Sequence, residues 1–408
     1  MTKWWSLLCG TLLIVLAGCA RQAADPEPPP HTCPTGIPDT VATSVTSGPT
    51  ATALAELPPP AVRRQFRTDF AKHSVPYSEI ISGGVPKDGI PAIDTPAFTS
   101  VEEADTWLKP VEPVIFFSLG DDARAYPVQI LIWHEIVNDE VDGVPVMITF
   151  CPLCNTAIAF LRTVNGQVLD FGTTGLLRYS NLIMYDRQTE SWWQQITGEA
   201  IAGELTGTTL DFLPASIISW EEFKTTYPEG RVLSRETGYS RPYGENPYAG
   251  YDDINQRPFL YVGPEPPEKL LPMARVLSVD LNGESVVYPY EVLERVHVVN
   301  DTVGGEPVVV FWHPGTASPL DAPFIAEGRD VGAAAAFRRT LDGQELTFVL
   351  QGERLVDEQT GSEWSVLGRA VGGPLSGRQL EPLVAITQFW FSRAAFNPDT
   401  RIYGLRGG

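Results

Sequence analysis

Cysteine is scarce: the 408-residue chain has five, at positions 9, 19, 33, 151 and 154. So few thiols exclude a disulfide-dense scaffold. Basic residues are also few, 29 Lys and Arg against 50 Asp and Glu, for a net charge of −21. That balance excludes nucleic acid as a partner, because phosphates would be repelled rather than neutralised. Long apolar runs are missing beyond the extreme amino terminus, which excludes a polytopic membrane protein. The Walker loop, GxGxxG, HExxH and GxSxG patterns are absent, which argues against nucleotide-driven and serine-hydrolase chemistry. What is abundant is Gly and Pro, 36 of each. They point to many turns and short elements rather than coiled coils or helical bundles. An apolar fraction of 43% with 10% aromatics supplies ample core.

The amino terminus reads MTKWWSLLCGTLLIVLAGC: one early Lys3, an apolar run from Trp4 to Leu16, then small residues. This is the layout of a secretory signal, too short to serve comfortably as a permanent span. Leu16-Ala17-Gly18-Cys19 resembles the bacterial lipobox. The resemblance implies a signal peptide over 1–18 and a lipidated Cys19 that tethers the chain to a lipid bilayer, outside the cytoplasm. Residues 19–61 are rich in Pro, Thr, Ser and Ala, as in an extended, solvated tether. Order should begin near Val62. Cys33 falls in the tether, so Cys151-Pro152-Leu153-Cys154 is the one cysteine constellation.

The chain repeats itself. Segment 114–153 aligns without gaps on 276–315, with Tyr126-Pro127 on Tyr288-Pro289 and Val137-Asn138-Asp139 on Val299-Asn300-Asp301. Ala159–Phe171 then aligns on Ala336–Phe348, after an insertion of 15 residues in the second copy. Asp186, Thr189, Ser191 and Trp193 match Asp357, Thr360, Ser362 and Trp364. The expected architecture is α+β and β-rich: two tandem copies of one hairpin-rich domain with short helices. The copies span 110–238 and 272–405, behind a lead-in (62–109) and joined by a Tyr/Pro-rich segment (239–271).

Within the first copy, Val114–Leu119 and Ala123–Tyr126 read as strands around an Asp121-Asp122 turn. Pro127 opens a short helix over Val128–Trp133. Asp142-Gly143 and Asn165-Gly166 are hairpin turns, the second joining Thr156–Arg162 to Gln167–Phe171. A third hairpin turns at Arg187–Ser191, and Trp220–Tyr227 reads as a helix. Asn138-Asp139, Asn300-Asp301, Asp186–Trp193 and Asp357–Trp364 recur in both copies, which points to a shared structural job through side chain to backbone bonds.

The runs YPVQILIWHEIVND, TFCPLCNTAIAF and MYDRQTESWW resemble the bacterial and archaeal domain-of-unknown-function family 3179. That resemblance covers nearly all of 110–405. It implies a shared fold and an extracytoplasmic setting, and it implies no activity.

Three chemistries fit the cysteine pair. Thiol–disulfide exchange is the first, since the pair follows the apolar strand Val146–Phe150. Asn155–Leu161 leads straight into a hairpin, however, and lacks the helix of a thioredoxin-like site. A copper or zinc site is the second, with thiolates of Cys151 and Cys154 and the imidazole of His134 as ligands. It needs a fourth ligand, from Met184, Asp186 or the other copy. In that copy His313 replaces Cys151, Thr316 replaces Cys154, and His297 stands opposite Glu135. A structural disulfide, or two buried thiols with His134 capping a helix end, is the third. A non-enzymatic alternative uses the cleft between the copies to bind a small ligand or an exported protein. Tyr243, Tyr248, Tyr251 and Asp252 would form its rim. Asp252-Asp253 as a calcium site lacks the alternating ligands of an EF-hand.

Overall fold

The structure is a computed structural model that describes residues 57–405. The signal sequence, Cys9, Cys19, Cys33 and the tether up to residue 56 lie outside the described residues. The chain is β-rich with short helices, an α+β architecture. Among the described residues no helix is long and apolar enough to cross a membrane.

Pro113–Leu119 pairs antiparallel with Asp122–Pro127 around Gly120-Asp121, one residue earlier than the sequence suggests. Pro127 caps the helix Val128–His134, which ends at a left-handed Glu135. Ile136–Val141 and Val144–Cys151 form a hairpin on Asp142-Gly143, both with positive φ (49° and 74°), as a two-residue turn of this hand requires. Thr156–Leu161 adds to Val144–Cys151, with Cys151 opposite Thr156. The expected partnership of Thr156–Arg162 with Gln167–Phe171 does not form. The Asn165-Gly166 turn joins just Thr163–Val164 to Gln167–Val168. Phe171 instead opens a long strand, Phe171–Arg178, paired with Asn181–Asp186 across Tyr179-Ser180. Trp220–Thr226 is helical, capped by the Ser219 side chain on Glu222 N–H.

The same order recurs from Arg275–Leu281 and Glu284–Pro289 through the helix Tyr290–Val296 to Val298–Val303, Glu306–His313 and Ala333–Arg338. It closes with Ala385–Phe389, the helix Trp390–Phe396 and Arg401–Ile402. Recurrent polar pairs sit in matching geometry. Asn138 grips the backbone of Phe171 at 2.8 and 2.9 Å, and Asn300 grips that of Phe348 at 2.8 and 2.9 Å. Asp186 accepts from the Trp193 indole N–H at 3.0 Å, and Asp357 from that of Trp364 at 3.0 Å.

The lead-in belongs to the fold. Ile80–Ser82 pairs with the far end of Phe171–Arg178, and Phe66, Phe70 and Tyr77 pack edge-on against Trp192. The two stretches also share their cores. One apolar cluster combines Ile148, Phe150 and Cys154 with Ile386, Phe389 and Phe391. Another combines Trp220 and Phe223 with Phe311 and Phe337. The segment carrying the 15-residue excess lies between Pro314 and Ala333. It holds the tyrosine-rich stretch in place: Tyr251 N–H bonds Leu320 O at 3.0 Å, and Asn246 N–H bonds Pro323 O at 2.8 Å.

Candidate functional site: a buried thiol pair at the seam

Cys151 is the last residue of its strand, and Pro152-Leu153-Cys154-Asn155 is the loop that reverses the chain into Thr156–Leu161. No helix begins at the pair, so the thiolate stabilisation that a helix N-terminus would give is absent here. Cys151 and Cys154 are 2% and 0% exposed and are not disulfide-bonded. The structural disulfide is thus replaced by two buried thiols. The two thiols lie beside each other. Both sulfurs point at Ser180 O, at 3.8 and 3.2 Å.

The rest of the site comes from four other segments. The Asn181 amide donates to Cys154 Sγ at 3.5 Å and to Gln195 Oε1 at 2.9 Å. Gln195 is itself held by the Thr149 and Thr156 hydroxyls, at 3.0 and 2.9 Å. From the second half, Phe389 N–H bonds Cys154 O at 3.0 Å, and the Ser392 hydroxyl faces the sulfur. From the connecting stretch, Tyr251 Oη donates to Leu153 O at 2.9 Å. Glu135, across the ladder from Phe150 through a 2.8 Å backbone bond, lies beside Cys151.

The two thiols are not equivalent. Burial opposes ionisation of Cys154, but the Asn181 amide and the neighbouring Cys151 thiol and Ser392 hydroxyl outweigh it and bring the thiol below the usual cysteine range. Burial, the bond given to Cys154 and the charge there push Cys151 far up. The pair is thus asymmetric: its surroundings ease ionisation of Cys154 and oppose that of Cys151. Burial and the neighbouring Cys151 also raise Glu135 well above the usual carboxyl range. Tyr248 and Tyr251 are raised by burial first, then by Glu135 and the sulfurs.

His134 does not join this cluster. Its Nδ1–H donates to Pro91 O at 2.7 Å, and its Nε2 accepts from Tyr243 Oη at 2.7 Å, which in turn accepts from Thr237. Both nitrogens are used, and burial followed by the nearby Arg241 charge lowers the imidazole pKa. Among the described residues no group of three or more His, Cys, Asp or Glu is placed to hold a metal ion. The expected copper or zinc site of His134, Cys151 and Cys154 is therefore corrected: the helix end turns His134 toward the lead-in, away from the sulfurs. Asp252 is likewise no calcium ligand. It is buried and paired with Arg275 at 3.1 Å and Arg329 at 2.8 Å.

The expected rim divides. Tyr248 and Tyr251 cover the cysteine loop, while Tyr243 serves His134 and Asp252 ties the connecting stretch to the second half. A surface cavity of ≈ 520 Å³ lies over Leu153, lined by Tyr248, Tyr251, Arg257 and Phe259. At the corresponding second-half positions, His297 packs edge-on against Trp312 and His313 is exposed beside Glu222. Sequence reasoning missed Glu135, Ser180, Asn181, Gln195 and Ser392, since none carries a spacing signal relative to the cysteines.

No curated protein and no solved structure matches the chain. Residues 87–400, well over half of the sequence, match the family described as "Protein of unknown function (DUF3179)". The thiol pair, its covering tyrosines and the shared core all fall inside that span, and the chain belongs to this family.

Proposed function

We propose that Cys151 and Cys154 form a redox-active dithiol that exchanges with disulfides of exported proteins, on a chain anchored outside the cytoplasm through lipidated Cys19. The observation that carries this reading is the asymmetry of the pair. Cys154 is buried, yet its sulfur accepts from the Asn181 amide at 3.5 Å and has the Cys151 thiol and the Ser392 hydroxyl beside it. A structural pair of thiols needs no such arrangement, whereas a nucleophile with a partner in reserve does. The Cys154 thiolate attacks one sulfur of a substrate disulfide, the substrate S–S bond breaks, and a thiolate leaves. Cys151 then loses its proton and attacks Cys154 Sγ, expelling the second substrate thiolate. The dithiol is oxidised by two electrons and the substrate disulfide is reduced. The reverse sequence runs when the partner's potential is the more reducing. Access requires the tyrosine cover to lift from Leu153.

We also infer that the two halves are tandem copies of one unit. The second has given up the thiols, with His313 and Thr316 in their places, and kept the packing role of its hairpin. That assigns the chemistry to one half and the clamp to the other. Single variants test the assignment. A small aromatic disulfide should leave a stable mixed disulfide on Cys154 in Cys151→Ser protein, and none in Cys154→Ser protein. Equal trapping in both variants, or none in either, overturns the reading.

A further inference from the structure

The two halves fold one loop alike and fill the space beside it differently. Leu210 N–H bonds Gly198 O at 2.9 Å in the first half, and Leu380 N–H bonds Gly368 O at 2.9 Å in the second. Glu199 bridges to Thr209, and Arg369 to Gln379 in the same way. Two residues past Leu210, Phe212 pairs with Phe160 of the strand Thr156–Leu161, and their rings lie 4.8 Å apart. Two residues past Leu380 stands Pro382, which bridges to Phe337 of the strand Ala333–Arg338. Pro382 supplies no ring where Phe212 does.

In its place lies a cavity of ≈ 470 Å³ between the halves, within the range of small-molecule sites, roughly 300–1,000 Å³. Phe116, Ser216 and Tyr227 line it from the first half, and Ala336, Phe337 and Pro382 from the second. The Phe116 and Tyr227 rings are stacked at 4.9 Å and 19°, which makes one wall aromatic. Among the described residues Arg369 is the one base in the lining, and Asp121, which is exposed, the one acid. Arg369 is half-buried and has no carboxylate partner among the described residues; its guanidinium lies 5.7 Å from the centre of the Tyr227 ring. The Gln379 amide nitrogen is spent on the Leu367 and Leu380 carbonyls, at 2.9 and 3.1 Å. The open charged donor is therefore the guanidinium, whose planar fork matches the two oxygens of a carboxylate.

We propose that this cavity binds a small aromatic monocarboxylic acid, its ring taking the place that Phe212 fills in the first half and its carboxylate pairing with Arg369. The site goes beyond the dithiol reading, since none of its lining residues belongs to the thiol cluster. A benzene ring occupies a cavity of about 150 Å³, so the volume holds a ring and a short arm. The ring gains apolar burial and edge or stacked contact with Phe116, Tyr227 and Phe337. Asp121 in the lining repels a second negative charge, which sets the limit at one carboxylate. The first half has no such site: Phe212 covers Phe160, and Glu199 stands where Arg369 does.

Calorimetric titration of the native full chain tests this with phenylacetate and 3-phenylpropanoate, whose arms differ by one carbon. Acetate, which lacks the ring, and phenylacetamide, which lacks the charge, are titrated beside them. At least one of the two aryl acids should bind at a single site, and acetate and phenylacetamide at least about 10-fold more weakly. Arg369→Gln should weaken the aryl acid by roughly 10- to 100-fold. Pro382→Phe, which restores the missing ring, should abolish its binding. Thermal unfolding without ligand shows that both variants fold, and the ligand series on the wild-type chain reads the same two requirements without any substitution. The proposal is overturned if neither aryl acid binds the wild-type chain, if acetate or phenylacetamide binds as tightly, or if the folded variants bind as the wild type does.

Discussion

Four residues around the sulfurs adopt left-handed backbone without being glycine: Glu135 (φ 58°), Asn155 (φ 54°), Tyr179 (φ 53°) and Ser180 (φ 62°). Such conformations cost of order 1–3 kcal/mol each and concentrate at functional sites. Each one turns a chain segment inward at the pair. Asn155 adds a further cost, since both ends of its buried amide lack a hydrogen-bond partner. Glu135 is the most readily tested of the four. It ionises near its ordinary 4.5 in the unfolded chain and at higher pH in the folded protein, because burial and Cys151 disfavour its charge. Its contribution to stability is therefore complete below that ordinary value and is lost as pH rises toward the raised one. Glu135→Gln has no proton to lose. It should gain on the wild type between about pH 4 and pH 7, by at most about 1.4 kcal/mol per pH unit. Urea unfolding at the two pH values measures this, and a difference that does not grow with pH contradicts it.

Hairpins with turn-specific residues were readable from the chain. Asp142-Gly143 and Asn165-Gly166 both take the positive φ values that their residue types favour. The strand Phe171–Arg178 was not readable. It contains Gly172 and Gly175, and its turn is Tyr179-Ser180, which nothing in local propensity marks. Gly175 is required there (φ 73°), because a Cβ would lie 2.1 Å from Val85 O. The lead-in therefore decides that strand, and only in three dimensions. The Asp186 and Asp357 turns were readable through recurrence. Each carboxylate accepts four matching side-chain and backbone bonds, from Thr, Ser and Trp. Asp186→Ala and Asp357→Ala should each cost about 3 kcal/mol or more, and by similar amounts, since the bonds lost are the same. Chemical denaturation of both variants checks this. A large cost at one position and none at the other would break the equivalence.

At the scale of the whole molecule, the half that carries the cysteines is closed by the other. Cys154 is bonded through its carbonyl to Phe389, its sulfur faces Ser392, and the cover of Tyr248 and Tyr251 is pinned by the segment around Leu320. None of this follows from spacing along the chain. The Cys-x-x-Cys pattern located the sulfurs, but which groups surround them is decided by contacts made across the seam. His134 shows the limit most clearly, since it is close in sequence and directed elsewhere by a helix end. The excess of acid over base keeps phosphates away, and on the proposed reading it would favour a neutral or basic protein as partner. The central claim is that the pair cycles between dithiol and disulfide in the folded protein. Equilibrating native wild-type chain in graded dithiol/disulfide buffers, quenching with acid and counting alkylated thiols by mass measures this directly. The account predicts one two-electron transition in which Cys151 and Cys154 are lost and regained together, abolished in Cys154→Ser. Thiols that stay reduced across the whole series in the folded protein would contradict it.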